Sequence, residues 1–403
     1  MAVDTARIPP AASDADKLRR LLAISTLIAG RLELRPLIGE VVRQASELVN
    51  ADRCTLWLCD HTRQEIYTFV GEGLANEIRL PIGQGVAGNA ALQRKTLHID
   101  DAYDSPYFNP EVDRKSGYKT RSLLAVPMES HEGRLIGVFQ GINRLDPSEP
   151  GGLGVFSPAD VELLTGLAGI ATVAVENALL YEQQKRQFNS FIITLATTVD
   201  AKDPTTSKHT MMVTGVAVAL ARHLQLSPQR VERIRIAAIL HDYGKIGIPD
   251  GVLLKAGMLD DTERRTMQSH VMKTALLLSR IQFRRDLEDV PAIAAMHHEK
   301  LDGTGYPYGL RGEEIPLEGR ILAVADVFHA LTQTRPYKAG RTPQEALAVC
   351  RQMSRQHLDR DGNPSGLHLD PNVVDALAGV LDRCANDMGY FEVESGWDEM
   401  LAG

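Results

Sequence analysis

A stretch of about forty residues without a helix breaker constrains the architecture more than anything else in the chain. From Asp160 to Asp200 there is no proline, and no glycine after Gly169. Leu163, Leu164, Leu167, Ile170, Val173, Leu180, Phe188, Phe191, Ile192 and Leu195 recur there with a helix-like period. One continuous helix over 160–200 is therefore expected to join two halves of different character. It is either a solvated connector or the coil of a parallel homodimer. The polar belt Glu-Gln-Gln-Lys-Arg-Gln at 182–187, lying between two apolar stretches, favours the dimer.

Before this helix, residues 1–16 are rich in Ala, Pro and Asp and read as a disordered lead. Two helical segments follow, broken near Arg35-Pro36. Six runs with strand character come next: CTLWLC, EIYTFVG, IRLPI, TLHI, SLLAVPM and RLIGVFQGI, separated by Gly, Pro and Asp turns. Ser157-Pro158, an N-cap followed by Pro at the first helical position, opens the long helix. These features predict an α+β domain with an antiparallel sheet and helices on one face. Beyond residue 186 the strand signal stops. The second half reads as all-α, and nine of the twelve histidines lie in it.

Lys plus Arg number 44 against 52 Asp plus Glu, a net charge of −8, so nothing attracts nucleic acid globally and DNA binding is not expected. Any phosphate must be met locally. Four cysteines without a C-x-x-C pair, no apolar leader and no run of about 18 uninterrupted apolar residues predict a reduced, cytoplasmic chain without a membrane span.

The chemistry centres on AAILHDYGKIGIPD, where an apolar helix ends at adjacent His241 and Asp242. His209, His270, the doublet His297-His298, and Asp326 in GRILAVADVFHAL complete a set of five histidines and two aspartates at apolar-to-polar junctions. Imidazole with carboxylate suits Fe, Mn, Zn or a similar divalent ion. Two such ions about 3.5 to 4 Å apart, sharing Asp242, would suit in-line attack on phosphorus. Lys245, Arg335 and Lys338 are either solvated charges or the cations that a phosphodiester's non-bridging oxygens need in the transition state. The Gly- and Pro-rich HHEKLDGTGYPYGLRGEEIP is a shaped surface loop in which Tyr306 offers a ring and a hydroxyl.

HDYGKIGIPD, HHEKLDGTGYPYGL, ADVFHALTQTRPY and GLHLDP together resemble the HD-GYP domain, a match running from about Phe188 to about Leu381, with a domain expected over 186–403. The resemblance implies an all-helical HD-superfamily bundle that uses divalent metals to hydrolyse cyclic di-GMP to linear pGpG or on to GMP. It makes His209, His241, Asp242, His270, His297, His298 and Asp326 metal ligands, with Asp242 and Lys245 in the catalytic role. Lys245, Asp302, Gly305, Tyr306, Arg335 and Lys338 become substrate contacts, with Gly303 and Pro307 shaping the lip. Some members place a Glu one turn before the first ligand histidine and hold a third metal; Thr205 stands there in this chain, so two metals, Fe or Mn, are expected. The family usually carries Asp where this chain has His329, which is either a residue behind the ligands, an extra ligand, or a sign of altered activity.

LHIDDAYDSPYFNPEVDRKSGYKTRSLLAVPM, with GVFQGINR and VFSPADVE, resembles a GAF domain of the cyclic-nucleotide phosphodiesterase and adenylyl cyclase subgroup, over 17–182. That subgroup's Asn-Lys-Phe-Asp-Glu signature appears as Asn143, Arg144, Phe156 and Asp160, with Val161 in place of the Glu; Arg144 is expected to keep the salt bridge to Asp160. The resemblance implies that Ala87, Asp113, Ser116, Thr120 and Gln140 line a pocket for cyclic AMP or cyclic GMP. The alternative is a GAF fold kept for packing and dimerisation.

The leading expectation is a cyclic di-GMP phosphodiesterase regulated through its GAF domain. The alternatives are a phosphodiesterase for another cyclic dinucleotide, such as cyclic GMP-AMP, or a catalytically silent signalling protein that recruits partners.

Overall fold

The structure is a computed structural model that describes residues 14–71, 77–203, 207–334, 339–358, 364–384 and 388–394. The chain divides into two compact units, Met1–Lys185 and Arg186–Gly403.

In the first unit, helices α1 (Asp14–Ala29) and α2 (Leu34–Leu48) precede strands β1 (Ala51–Asp60), β2 (Glu65–Gly71) and β3 (Arg79–Pro81). Helix α3 (Gly85–Gln93), β4 (Leu97–Ile99), α4 (Pro110–Ser116), β5 (Leu123–Glu129), β6 (Leu135–Leu145) and the two-residue β7 (Leu153–Gly154) follow. The strands form one antiparallel sheet in the order β3-β2-β1-β6-β5-β4, with β7 on the end of β6. Cys54, Leu56 and Leu58 of β1 join Leu37, Val41 and Ala45 of α2 in the main core.

Helices cover both faces of the sheet, where helices on one face alone were expected. Trp57 points to the opposite side of β1, where it packs with Leu123, Ala125 and Val138 under Val86, Ala87, Ala90 and Ala91 of α3. The near-continuous buried run of β1, Cys54 to Leu58, reflects this two-sided cover.

Helix α5 runs unbroken from Pro158 to Lys202. Its start is fastened reciprocally: Ser157 Oγ accepts from Asp160 N at 3.2 Å, while the Asp160 carboxylate accepts from Ser157 N and Oγ, each at 2.8 Å. Arg144 Nε also donates to Asp160, at 2.8 Å, which is the expected salt bridge. By length and composition α5 could cross a membrane, yet Leu164, Leu167, Ala168, Ala171, Val175 and Ala178 are buried in the core of the first unit.

The second unit is helical: α6 (Ser207–His223), α7 (Pro228–Leu240), α8 (Asp250–Leu253), α9 (Asp261–Leu278), α10 (Val290–Ala294), α11 (Leu317–Thr332), α12 (Pro343–Met353), α13 (Pro371–Arg383) and α14 (Gly389–Glu394). Its only strands among the described residues are a three-residue pair, β8 (Gln356–Leu358) and β9 (Pro364–Gly366). The main core joins Val213, Val216 and Leu220 of α6 to Ile321, Val324 and Phe328 of α11 and Val373 and Leu377 of α13. A second cluster packs Ile192, Ile193 and Ala196 of α5 on Ile236, Ile239 and Leu240 of α7. This second packing places the end of α7, and so the His241-Asp242 pair, beside the last turns of α5.

Candidate functional site

All seven expected ligands come together inside the second unit, and all but the partly exposed His298 are buried. His241 and Asp242 follow the last residue of α7, His270 lies on α9, His297 and His298 follow α10, Asp326 is on α11 and His209 is on α6. Three of the rings are locked in the same way. His241 Nδ1 donates to Ala238 O, His270 Nδ1 to Met267 O and His297 Nδ1 to Ala294 O, each at 2.7 Å and each reaching three residues back. A ring that spends its Nδ1 proton on a carbonyl presents Nε2 as a lone pair, the form a metal requires.

Asp242 organises these lone pairs. Its Oδ1 faces His270 Nε2 at 3.2 Å and His297 Nε2 at 3.9 Å, while Oδ2 faces His241 Nε2 at 3.3 Å and His209 Nε2 at 3.8 Å. One carboxylate oxygen thus serves each pair of histidines. Asp326 spans the cluster in a similar way, with Oδ1 at 3.4 Å from His209 Nε2 and Oδ2 at 3.9 Å from His298 Nδ1. Three donor triads result: His270–His297–His298, His209–His241–Asp326, and His241–Asp242–His297, with all donor atoms of each within 4.8 Å of one another.

The donor set fits divalent cations on chemical grounds. His270 Nε2 and His297 Nε2 stand 3.4 Å apart with both Nδ1 protons already committed, so two lone pairs oppose each other across a gap lined by carboxylate oxygen. A cation between them converts repulsion into coordination. Ionisation divides the set: burial works to lower His241, but the Asp242 charge outweighs it and raises that ring. Burial lowers His209 and His298 to about 4, and burial followed by the charge of His298 keeps His297 well below its ordinary value, so these rings are neutral. Burial works to raise Asp242, but Lys245 and His241 outweigh it and hold the carboxyl well below the usual range.

His329 stands behind the cluster: its Nδ1 is 2.8 Å from His209 Nδ1, which leaves His209 Nε2 turned toward the carboxylates. Lys245 Nζ lies 2.6 Å from Asp242 Oδ2 and 3.8 Å from Asp203 Oδ2. Tyr306 sits over His298, with ring centroids 4.8 Å apart, and burial raises its phenol. Asp302 faces its own loop: Oδ1 accepts from Thr304 N and Oγ1 at 2.9 and 2.7 Å, and Oδ2 meets His368 Nε2 at 3.3 Å. Gly305 is required where it is, since a Cβ there would come within 2.5 Å of Lys300 N. Arg335, Lys338 and Thr205 lie outside the described residues.

Several residues that shape the site escaped the sequence reading. Thr274, fully buried on α9, accepts from Gly244 N at 2.8 Å and donates to His241 O at 3.1 Å. It lies four residues after His270 and so on the same helical face, a spacing that could have flagged it. Gly244 must be glycine because a Cβ would fall 1.9 Å from His270 O. Buried Glu299 accepts from Tyr308 N at 2.7 Å and Leu310 N at 3.0 Å, moulding the loop that carries Tyr306.

In the first unit, Ala87 is buried on α3 and Gln140 on β6, where Gln140 Oε1 accepts from Trp57 Nε1 at 2.9 Å. Asp113 and Thr120 meet each other: Thr120 N and Oγ1 donate to the Asp113 carboxylate at 2.6 and 2.8 Å, and Tyr103 OH donates at 3.1 Å. Ser116 is the last residue of α4, and its side chain lies outside the described set.

Residues 33–175 match the GAF domain model and residues 194–362 the HD domain model, so the chain is a GAF domain followed by an HD domain. The cyclic di-GMP phosphodiesterase response regulator RpfG of Xanthomonas campestris pv. campestris (strain 8004) is 44% identical over 201 residues, 50% of this chain and 50% of that protein. A Vibrio cholerae serotype O1 protein named "Probable cyclic di-GMP phosphodiesterase" is 29% identical over 81% of this chain and 77% of its own length. The 3'3'-cGAMP-specific phosphodiesterase 3 of the same organism is 42% identical over 38% of this chain and 32% of its own. The chain thus spans half the length of RpfG.

Proposed function

We propose that this chain is a metal-dependent phosphodiesterase that hydrolyses cyclic di-GMP to linear pGpG or GMP, with a small ligand in the GAF domain setting its rate. The observation that carries this reading is the division of the Asp242 oxygens between two pairs of histidine lone pairs, a cradle for two divalent ions, Fe or Mn. Bound there, the metals would polarise the phosphodiester and supply a nucleophile at neutral pH.

The chain's own residues do the rest. Asp242 would hold both ions, since it presents one oxygen to each histidine pair. Lys245 sets a positive charge beside Asp242 Oδ2, where it meets the charge that grows on the non-bridging oxygens. Tyr306, seated on His298, offers its ring to a base or ribose. Asp302 and Gly305 hold the lip, and Arg335 and Lys338 are proposed as further substrate contacts.

The relative named as specific for 3'3'-cGAMP favours a second reading, in which the same centre acts on cyclic GMP-AMP. In the first unit, Ala87, Asp113, Ser116, Thr120 and Gln140 are proposed to receive cyclic AMP or cyclic GMP. A homodimer through α5 is supported by Val173, Leu180 and Phe191, all exposed, at spacings of seven and eleven that keep them on one stripe. The free thiols of Cys59, Cys350 and Cys384 accord with a cytoplasmic protein.

The deciding experiment isolates the full chain without added metal, measures bound Fe, Mn and Zn, and follows turnover of both cyclic dinucleotides with product analysis. Hydrolysis of cyclic di-GMP is expected. Metal-loaded protein inert toward both substrates would overturn the reading.

A further inference from the structure

The backbone immediately after Asp242 is held by two lysines from two different helices. Tyr243–Gly247 forms a short 3-10 turn that ends at Ile248 and carries Lys245. A helical turn leaves its last carbonyls without partners and gives that end a partial negative charge. Here three successive carbonyls are met by ammonium groups. Lys202 Nζ donates to Ile246 O and Ile248 O, both at 2.8 Å, and lies 3.4 Å from Asp250 Oδ1. Lys273 Nζ, from α9, donates to Gly247 O at 2.7 Å.

Lys202 is the last residue of α5, and its neighbour Asp203 stands 3.8 Å from Lys245 Nζ. Residues 202 and 203 therefore grip the turn twice, once through its main chain and once through its lysine. Nearly two turns earlier, Ala196 of α5 packs in the cluster that holds Ile239 and Leu240 of α7. The end of α5 and the His241-Asp242 turn are consequently joined by both packing and hydrogen bonds.

We propose that Lys202 is a positioning residue: by clamping the carbonyls of Ile246 and Ile248 it fixes the turn from which Lys245 reaches Asp242. This deepens the phosphodiesterase reading and rests on it. It also gives a signal in α5 a direct handle on the reaction centre, since any displacement of the helix end pulls the ammonium off two carbonyls and shifts Lys245. Lys202 makes no contact with a ligand residue itself; its effect passes through the turn.

The test uses the full chain with Lys202→Met, which keeps the aliphatic stem and removes the donors, alongside Lys202→Arg, whose guanidinium can still reach both carbonyls. The backbone amides of Lys245 and Ile248, bonded to Asp242 O at 2.9 Å and Lys245 O at 3.0 Å, are the reporters. In K202M their hydrogen exchange is expected to quicken about tenfold or more, the loss of a charge-assisted hydrogen bond. Metal content per chain should stay at the parent's level, and kcat/KM for cyclic di-GMP should fall about tenfold, with K202R restoring both exchange and turnover. Parental exchange in K202M would overturn the proposal, as would faster exchange with undiminished turnover. Should K202M not fold, Lys202→Leu, which also lacks donors, makes the same comparison. Exchange is read without substrate, so a parent protein inert toward cyclic dinucleotides would sink the phosphodiesterase reading, and in that case the clamp is judged on the exchange rates.

Discussion

Glu299→Gln should loosen the loop around Tyr306 without unfolding the domain. The Glu299 carboxylate is 3% exposed and accepts two backbone N–H groups, Tyr308 N on Oε1 and Leu310 N on Oε2. Glutamine has the same shape but a single acceptor oxygen, so one of these N–H groups must face an NH2. The change removes one hydrogen bond to a charged acceptor, roughly 1.5 to 3 kcal/mol, and weakens the other, for a total of about 2 to 4 kcal/mol. A domain stable by ~5 to 15 kcal/mol survives this globally, so the loss appears as local opening. At about 1.4 kcal/mol per factor of ten, the Tyr308 and Leu310 amides should exchange ~30 to ~700 times faster, while amides in α6 and α11 keep parental rates. Because His297 and His298 keep their places, metal content should be unchanged and the loss in hydrolysis should appear mainly in KM. Parental exchange at both amides in a folded variant would refute the reasoning, and loss of bound metal would show that Glu299 serves the ligands rather than the loop.

Asp242→Ala is expected to abolish hydrolysis and strip bound metal from the parent's two ions per chain, with helical circular dichroism retained; turnover near the parental rate with reduced metal would defeat the two-metal assignment. Asp113→Ala removes three hydrogen bonds, about 3 kcal/mol, and should lower the GAF unfolding temperature by roughly 6 to 12 °C. Cyclic AMP or cyclic GMP at millimolar concentration should raise that temperature in the parent and less so in the variant; no shift in the parent with either nucleotide leaves the GAF domain as a packing module. Inserting two residues beside Gln184 turns the downstream part of α5 by about 200° and should uncouple nucleotide from hydrolysis with metal content preserved; a full nucleotide response would rule out the helical relay.

What could be read from the sequence followed from composition and period. The absence of glycine and proline after Gly169 fixed α5, and strand periodicity marked β1 to β6 because each is bounded by turn residues. Of the expected ligands, His241, Asp242, His297 and His298 stood out because such groups are rare where an apolar helix ends, whereas His209, His270 and Asp326 lie inside helices. Contacts made through the backbone left no such trace. Glu299 beside a histidine doublet looks like another polar loop residue until its two N–H partners are seen, and Lys202 and Lys273 look like ordinary surface charges until three carbonyls are found under them. Two-sided burial of the sheet was hidden because Trp57 reads as one more strand residue, and its partners on α3 are small alanines with a weak apolar signature. The expectation for Asp113 and Thr120 rested on resemblance alone, whereas the fold turns the two side chains on each other.

Two of the three ring-to-carbonyl bonds restrict how the centre can vary. His241 follows the last residue of α7 and His297 lies just past α10, so their Nδ1 protons satisfy Ala238 O and Ala294 O, carbonyls that a terminating helix leaves without an amide partner. The same hydrogen bond that sets the tautomer therefore finishes the helix. An aspartate or glutamate at 241 or 297 could still bind a hard cation, but it brings no proton for that carbonyl, and the helix end would go unsealed. The nitrogen-rich character of the centre is thus anchored in the secondary structure as well as in the preference of the ion. Exchange of ligand type should be easier at Asp326, whose two oxygens face His209 and His298 from within α11, than at either histidine that closes a helix.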